Sequence, residues 1–211
     1  MIVRQIRQRA ACCVLMAILA ASHSRAAQPD GGTPLSLDQL MTTLRSVRHV
    51  EARYDEHRTL RALRTPIETH GTLRFDAPDH LEKTSDPAVA GAKAAGGADR
   101  MAIDGNRLTI DRGPDSAPMV LMLNEHPEIG VLIESIRATL AGDGQALRRV
   151  FDISLAGTAA DWQIVLQPHD PEQREILQWM RITGHSARIT AIDTQQGDGG
   201  YSEMTIVEGG R

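Results

Sequence analysis

Histidines and carboxylates gather along one stretch of the chain, where His49, Glu51, Glu56 and His57 lie close together and His70 and His80 follow. Residues two apart on a strand share a face. His49-x-Glu51 with His57 would then begin a metal site, completed by His70 or His80. Arg53 and Arg58 stand among these residues, however, and cations repel a divalent ion, while zinc sites favour closer or helix-borne histidine pairs. The stretch reads instead as the wet face of a strand. Ser154, Ser186 and Ser202 occupy strand-like settings, and no G-x-S-x-G elbow is present to raise a serine toward an oxyanion hole. No G-x-G-x-x-G opens a helix, and Gly142-Asp143-Gly144 reads as following a helix rather than preceding one, so it offers no phosphate cradle. Asp76, Asp79 and Glu82 border a turn, where Asp is common for backbone reasons. No catalytic residue, metal or cofactor is expected.

The remaining chemistry is apolar. Met41, Met101, Met119, Met122, Met180 and Met204 supply flexible thioethers, which suit a cavity that must adapt to an alkyl chain when they cluster and ordinary core when they do not. Aromatic residues make up 3% of the chain and the net charge is −4, which leaves little for stacking bases or tracking a phosphate backbone, so nucleic acid is disfavoured as a partner.

These residues must be positioned by a chain of 211 residues. Its first segment has the three parts of a secretory signal peptide: Arg4, Arg7 and Arg9, an apolar run from Ala10 to Ala21, then small residues to Ala26 or Ala27. The run is too short to span a membrane, which takes roughly 20 residues. Residues 1–26 are expected to be removed, leaving a flexible tail at 27–35 and one domain at 36–208. Removal takes away Arg4, Arg7, Arg9 and Arg25 and no acid, so the charge moves from −4 to −8. Both cysteines, Cys12 and Cys13, leave with it, so the mature chain must be held by core packing alone.

Ser36 with Gln39 forms a capping box for a helix carrying Leu37, Leu40, Met41, Leu44 and Val47 on one face. From Val50 the period changes to two, with Val50, Ala52 and Tyr54 facing opposite Glu51, Arg53, Asp55 and His57. Thr69, Gly71, Leu73 and Phe75 share a face of the next strand. Pro87–Ala98, rich in Ala and Gly, reads as a mobile loop, a tip or a lid. Asp104-Gly105-Asn106 turns a hairpin, and Pro127 opens a second amphipathic helix with Ile129, Leu132, Ile133, Ile136 and Leu140. With about ten short strands, two helices and no crossover segments, the fold class is mainly β (α+β). The predicted architecture is a strongly curved, unclosed antiparallel half-barrel with two amphipathic lid helices.

Three stretches carry a family resemblance: G-x-L-x-F-x-x-P-D-x-L-x-K at Gly71–Lys83, I-R-A-T-L-A-G-D at Ile136–Asp143, and F-x-I-x-L-x-G with a following Trp at Phe151–Trp162. With the leading helix and long first strand, the chain resembles the LolA-type periplasmic lipoprotein carriers. It looks closest to a divergent LolA-like branch found beside genes for aryl-polyene pigments and unusual lipids. The resemblance implies a half-barrel whose hydrophobic hollow is lidded by helices, and a monomeric periplasmic carrier that moves an acylated cargo, lipoprotein or lipid, from an inner-membrane donor to an outer-membrane acceptor. On that model the hollow is lined by Leu73, Phe75, Met101, Ile103, Met119, Leu121, Trp162 and Ile164, and the lid contributes Leu40, Leu44, Leu132 and Ile136. Two other classes stay open: an envelope stress sensor or interaction domain of the same fold, and a metal-dependent lipid-modifying enzyme using His49, Glu51 and His57.

Overall fold

In a computed structural model, residues 35–61, 63, 65–86, 100–113 and 116–208 are described. The expected signal peptide and the Pro87–Ala98 loop lie outside them.

The first helix, α1 (Leu37–Arg45), begins as its capping box requires: the Ser36 hydroxyl accepts from the Gln39 N–H and the Gln39 side chain accepts from the Ser36 N–H. Such a cap is worth about 1 kcal/mol. Leu40, Met41 and Leu44 form its buried stripe. Among the described residues, eleven strands follow in a single antiparallel sheet. The first six are β1 (His49–Thr59), β2 (Ile67–Asp76), β3 (His80–Ser85), β4 (Arg100–Asp104), β5 (Arg107–Asp111) and β6 (Met119–Met122). The last five are β7 (Phe151–Gly157), β8 (Asp161–Pro168), β9 (Leu177–His185), β10 (Arg188–Gln196) and β11 (Tyr201–Glu208). Both groups are meanders, and they join where β1 pairs with β11. The sheet does not close, so β6 and β7 are its two edges.

The chain crosses from one edge to the other through helix α2 (Pro127–Leu140) and a shorter helix, α3 (Gly144–Val150). The latter is a correction, since the sequence suggested no helix after Gly142. Seven residues are too few for a helical period to stand out. Asp143 caps α3 by accepting from the Ala146 N–H, so the Gly142-Asp143-Gly144 run does precede a helix. The cap supplies the N-terminus with its own carboxylate, which still leaves no phosphate cradle. A single further turn, α4 (Pro171–Arg174), capped by Asp170, was also not anticipated. Ser186 lies in the tight turn between β9 and β10 with φ 54°, rather than in a strand.

Two aromatic residues stand opposite glycines on neighbouring strands. Trp162 on β8 pairs with Gly184 on β9, and Tyr54 on β1 pairs with Gly71 on β2. A Cβ at Gly184 would run into the Trp162 ring, and one at Gly71 would run into the Thr84 carbonyl. Glycine permits strands to approach and coil at these points, and the aromatic side chain opposite covers the exposed backbone.

The main core lies under the second meander. Leu40, Met41 and Leu44 of α1 pack with Trp162, Ile164, Leu166, Leu177, Met180 and Ile182. A smaller cluster, Ile103, Leu108 and Ile133, sits beneath the first meander. Helix α1 is tied to the turn between α2 and α3 by Arg45, which donates to the Gly142 carbonyl at 2.8 Å, and to α3 by the Arg148–Asp38 ion pair at 2.9 Å.

Candidate functional site

The register sorts the concave wall into rows. Ala52, Leu73, Lys83, Met101, Ile110 and Met119 are neighbours across successive strands, as are Phe75, Leu81, Ile103, Leu108 and Leu121. On the other side run Ile164, Ile182, Ile192, Met204 and Glu56. Between this wall and the helices lies a cleft of about 230 Å³. Leu73, Phe75, Leu81, Met101 and Ile103 line one flank, and Ile189, Ile192, Met204 and Ile206 the other. Its roof is Leu44 and Val47 at the end of α1 with Leu132, Ile133, Ile136 and Leu140 of α2. The volume lies below the ~300–1,000 Å³ of ordinary ligand pockets. Side chains of the roof helices stand within the hollow beside the sheet wall.

Of the residues expected to line the hollow, the structure brings together Leu44, Leu73, Phe75, Met101, Ile103, Leu132 and Ile136. The others lie elsewhere. Leu40, Trp162 and Ile164 are sealed in the main core, where α1 lies on β8 and β9. Strand alternation points Trp162 and Ile164 inward, where they pack in one core with Leu40 of α1. Leu121 packs in the smaller cluster, and Met119, at the edge strand with no further strand beside it, is 41% exposed.

One end of the cleft is polar, which the sequence analysis missed. Glu56 continues the inward alternation of Ala52 and Tyr54 and is buried. Its carboxylate accepts from Lys83 Nζ, from the Ser202 hydroxyl at 2.7 Å and from the Thr69 hydroxyl at 3.2 Å, with Arg58 at 3.5 Å. Burial alone would raise its pKa, but the charges of Lys83 and Arg58 and the hydrogen bonds outweigh that and bring it down to about 2. Burial draws the Lys83 ammonium below its usual range while Glu56 opposes the shift, and the ammonium also rests over the Tyr54 ring, 4.7 Å from its centroid. The ion pair is thus held charged inside an otherwise apolar wall. The signal was present in the sequence, since a charged residue in phase with an inward apolar alternation must find a partner when buried.

The histidines do something different. His49 pairs with Asp76, His57 with Glu68, His70 with Asp55 and His80 with Asp104, each across neighbouring strands. His49, Glu51 and His57 project from the outer face of β1 while Glu56 points inward, so Glu56 and His57 cannot share a ligand. Among the described residues no three His, Asp or Glu side chains come together in a way that could hold a metal ion. Also among the described residues, no helix is long and apolar enough to cross a membrane.

Residues 33–210 match the family model described as outer membrane lipoprotein carrier protein LolA-like. Among solved structures, the chain is similar to a LolA superfamily protein from Nitrosomonas europaea at 9% identity, covering 82% of this chain and 91% of that one with a TM-score of 0.39. No curated protein matches the sequence.

Proposed function

The chain belongs to the LolA-like family of outer membrane lipoprotein carriers, and from that premise we propose that it shields an acyl chain of a lipoprotein or lipid inside the cleft between its curved sheet and α2. The observation that carries this is the continuous apolar lining, from Leu73 and Phe75 on the sheet to Leu132 and Ile136 on the roof. Exposing an acyl chain to water costs about 0.8 kcal/mol per methylene, so a chain of about 16 carbons faces a barrier on the order of 12 kcal/mol when it crosses an aqueous compartment.

The small volume of the cleft supports a route to release. Cargo competes with the roof residues for the same apolar wall, so its net affinity is the difference between two burials rather than the whole of one. Transfer to an acceptor of higher affinity then runs downhill. Export through removal of residues 1–26, work in the periplasm as a monomer, loading from an inner-membrane donor and delivery to an outer-membrane acceptor complete the proposal, with no catalytic step. Native mass spectrometry of the chain secreted by a bacterial host tests it. A co-purifying acyl lipid is the expected result. A lipid-free protein that also fails to take up a neutral fluorescent naphthylamine probe would overturn the proposal.

A further inference from the structure

The charges on the cleft wall run against those of the chain. The protein carries 27 acidic and 23 basic residues. Among the described residues that line the cleft, Glu56 is the one carboxylate, facing Arg58, Arg74, Lys83 and Arg188. Arg74 lies on the outer face of β2, where it holds Asp76 at 2.7 Å, and Arg188 stands at the far end of β10. That leaves Glu56, Lys83 and Arg58 as a group with one excess positive charge at the end of the apolar wall.

Within that group the carboxylate is well supplied. It accepts from Lys83, Ser202 and Thr69, so Arg58 meets it only at 3.5 Å, the limit of a hydrogen bond. A guanidinium has five N–H donors in a fork that fits carboxylate or phosphate oxygens, and this contact engages one. The Arg58 side chain is 46% exposed, while the Glu56 side chain beneath it is 6% exposed. A buried carboxylate thus anchors a cation that faces the opening. Thr194, Gln196 and Ser202 add hydroxyl and amide groups around it. From there the wall runs, past Lys83, through the apolar side chains of Ala52 and Leu73 to Phe75 and Val50.

We infer that the Arg58 end of the cleft is a head-group subsite for a singly charged anion on an alkyl chain, a carboxylate or a phosphate, with the tail directed toward α1. The inference rests on the carrier function proposed above and adds to it the class of cargo and its orientation.

Displacement of a neutral naphthylamine probe by dodecanoate, dodecyl phosphate and dodecanol separates the two proposals. The wild-type chain should bind at least one anion about tenfold more tightly than the alcohol, the worth of one charge-assisted hydrogen-bonded pair. The carboxylate and phosphate arms show which head group is preferred. In Arg58→Gln, whose half-exposed site tolerates the change, the preference for the anion over the alcohol should fall to within about twofold, against the roughly tenfold of a lost charged contact. Equal affinity for anions and alcohol in the wild type, or equal weakening of both in the variant, overturns the head-group subsite and leaves the carrier intact. Failure of all three ligands overturns both.

Discussion

Each meander of the sheet sets an aromatic residue opposite a glycine, and the two end differently. In the second, Trp162 lies against Gly184, its indole N–H donates to the Ser186 carbonyl at 2.8 Å, and the side chains beyond it are Ile164, Leu166, Met180 and Ile182, packed in one core with residues of α1, α2 and α3. In the first, Tyr54 lies opposite Gly71, its hydroxyl bonds Ser85 at 3.0 Å, and Lys83 and Glu56 come next. The β7–β9 part of the second meander is filled against the helices, while the cleft opens between the first meander and β10–β11. Over the cleft, α2 and the end of α1 form the roof. The lesson is that a curved sheet becomes a container where its helices do not reach the floor.

If the second meander is the structural half, cutting its core should cost stability before it touches binding. Trp162→Ala removes a side chain that is 2% exposed along with its hydrogen bond. A loss of about 3–5 kcal/mol is expected in chemical denaturation, with probe affinity unchanged in whatever remains folded. A variant of full stability would erase the distinction between the halves.

The hollow half should instead show its stabilising interaction in acid. Glu56 is held at about 2, against 4.5 for the free side chain. A carboxylate with a depressed folded pKa stabilises fully above the unfolded value and loses that contribution as pH falls from 4.5 through about 2. The window is worth on the order of 3 kcal/mol. Glu56→Gln should flatten the pH dependence of unfolding across this range and lower stability at neutral pH, because Lys83 is left buried without its partner charge. An unchanged acid profile would mean that the pair contributes nothing.

The roof comes next in size. Ile136 is half-buried and lines the cleft from α2. Ile136→Asp should lower stability, since the side chain packs against the main core, and weaken retention of a fluorescent fatty acid by the folded protein about tenfold or more, since about 1.5–3 kcal/mol of apolar contact is lost. Unchanged binding by a folded variant would show that α2 does not cover the cargo.

Much of this was legible in the residues. Ser36 and Gln39, the period-two run from Val50, the Asp104-Gly105 turn and Pro127 mark elements whose boundaries follow from local chemistry, and so the half-barrel was within reach. The site was legible by face and not by occupancy. Alternation placed Trp162 and Ile164 on the concave side, but nothing local shows that α1 would descend on them, because that depends on the Arg45–Gly142 and Arg148–Asp38 contacts across about a hundred residues of chain. Glu56 was hidden by its neighbours: His49, Glu51 and His57 drew attention to the outer face of the same strand, and its partner Lys83 is two strands away.

The smallest expected effect sharpens the comparison within the hollow half itself. Met101, Ile110 and Met119 stand side by side across β4, β5 and β6 on one face. Met101 lines the cleft, and Met119 sits at the open edge, 41% exposed. The two residues share type, face and strand register, so any difference between them measures position alone. Met119→Ser should change stability by no more than about 0.5 kcal/mol, as exposed sites do, and leave fatty-acid affinity as it is. Met101→Ser puts a hydroxyl into the apolar wall and should weaken binding severalfold, on the order of 1 kcal/mol for the methylenes no longer covered. Equal effects at the two positions would mean that the cargo reaches the β6 edge, and that the hollow extends across the whole first meander rather than stopping at β4.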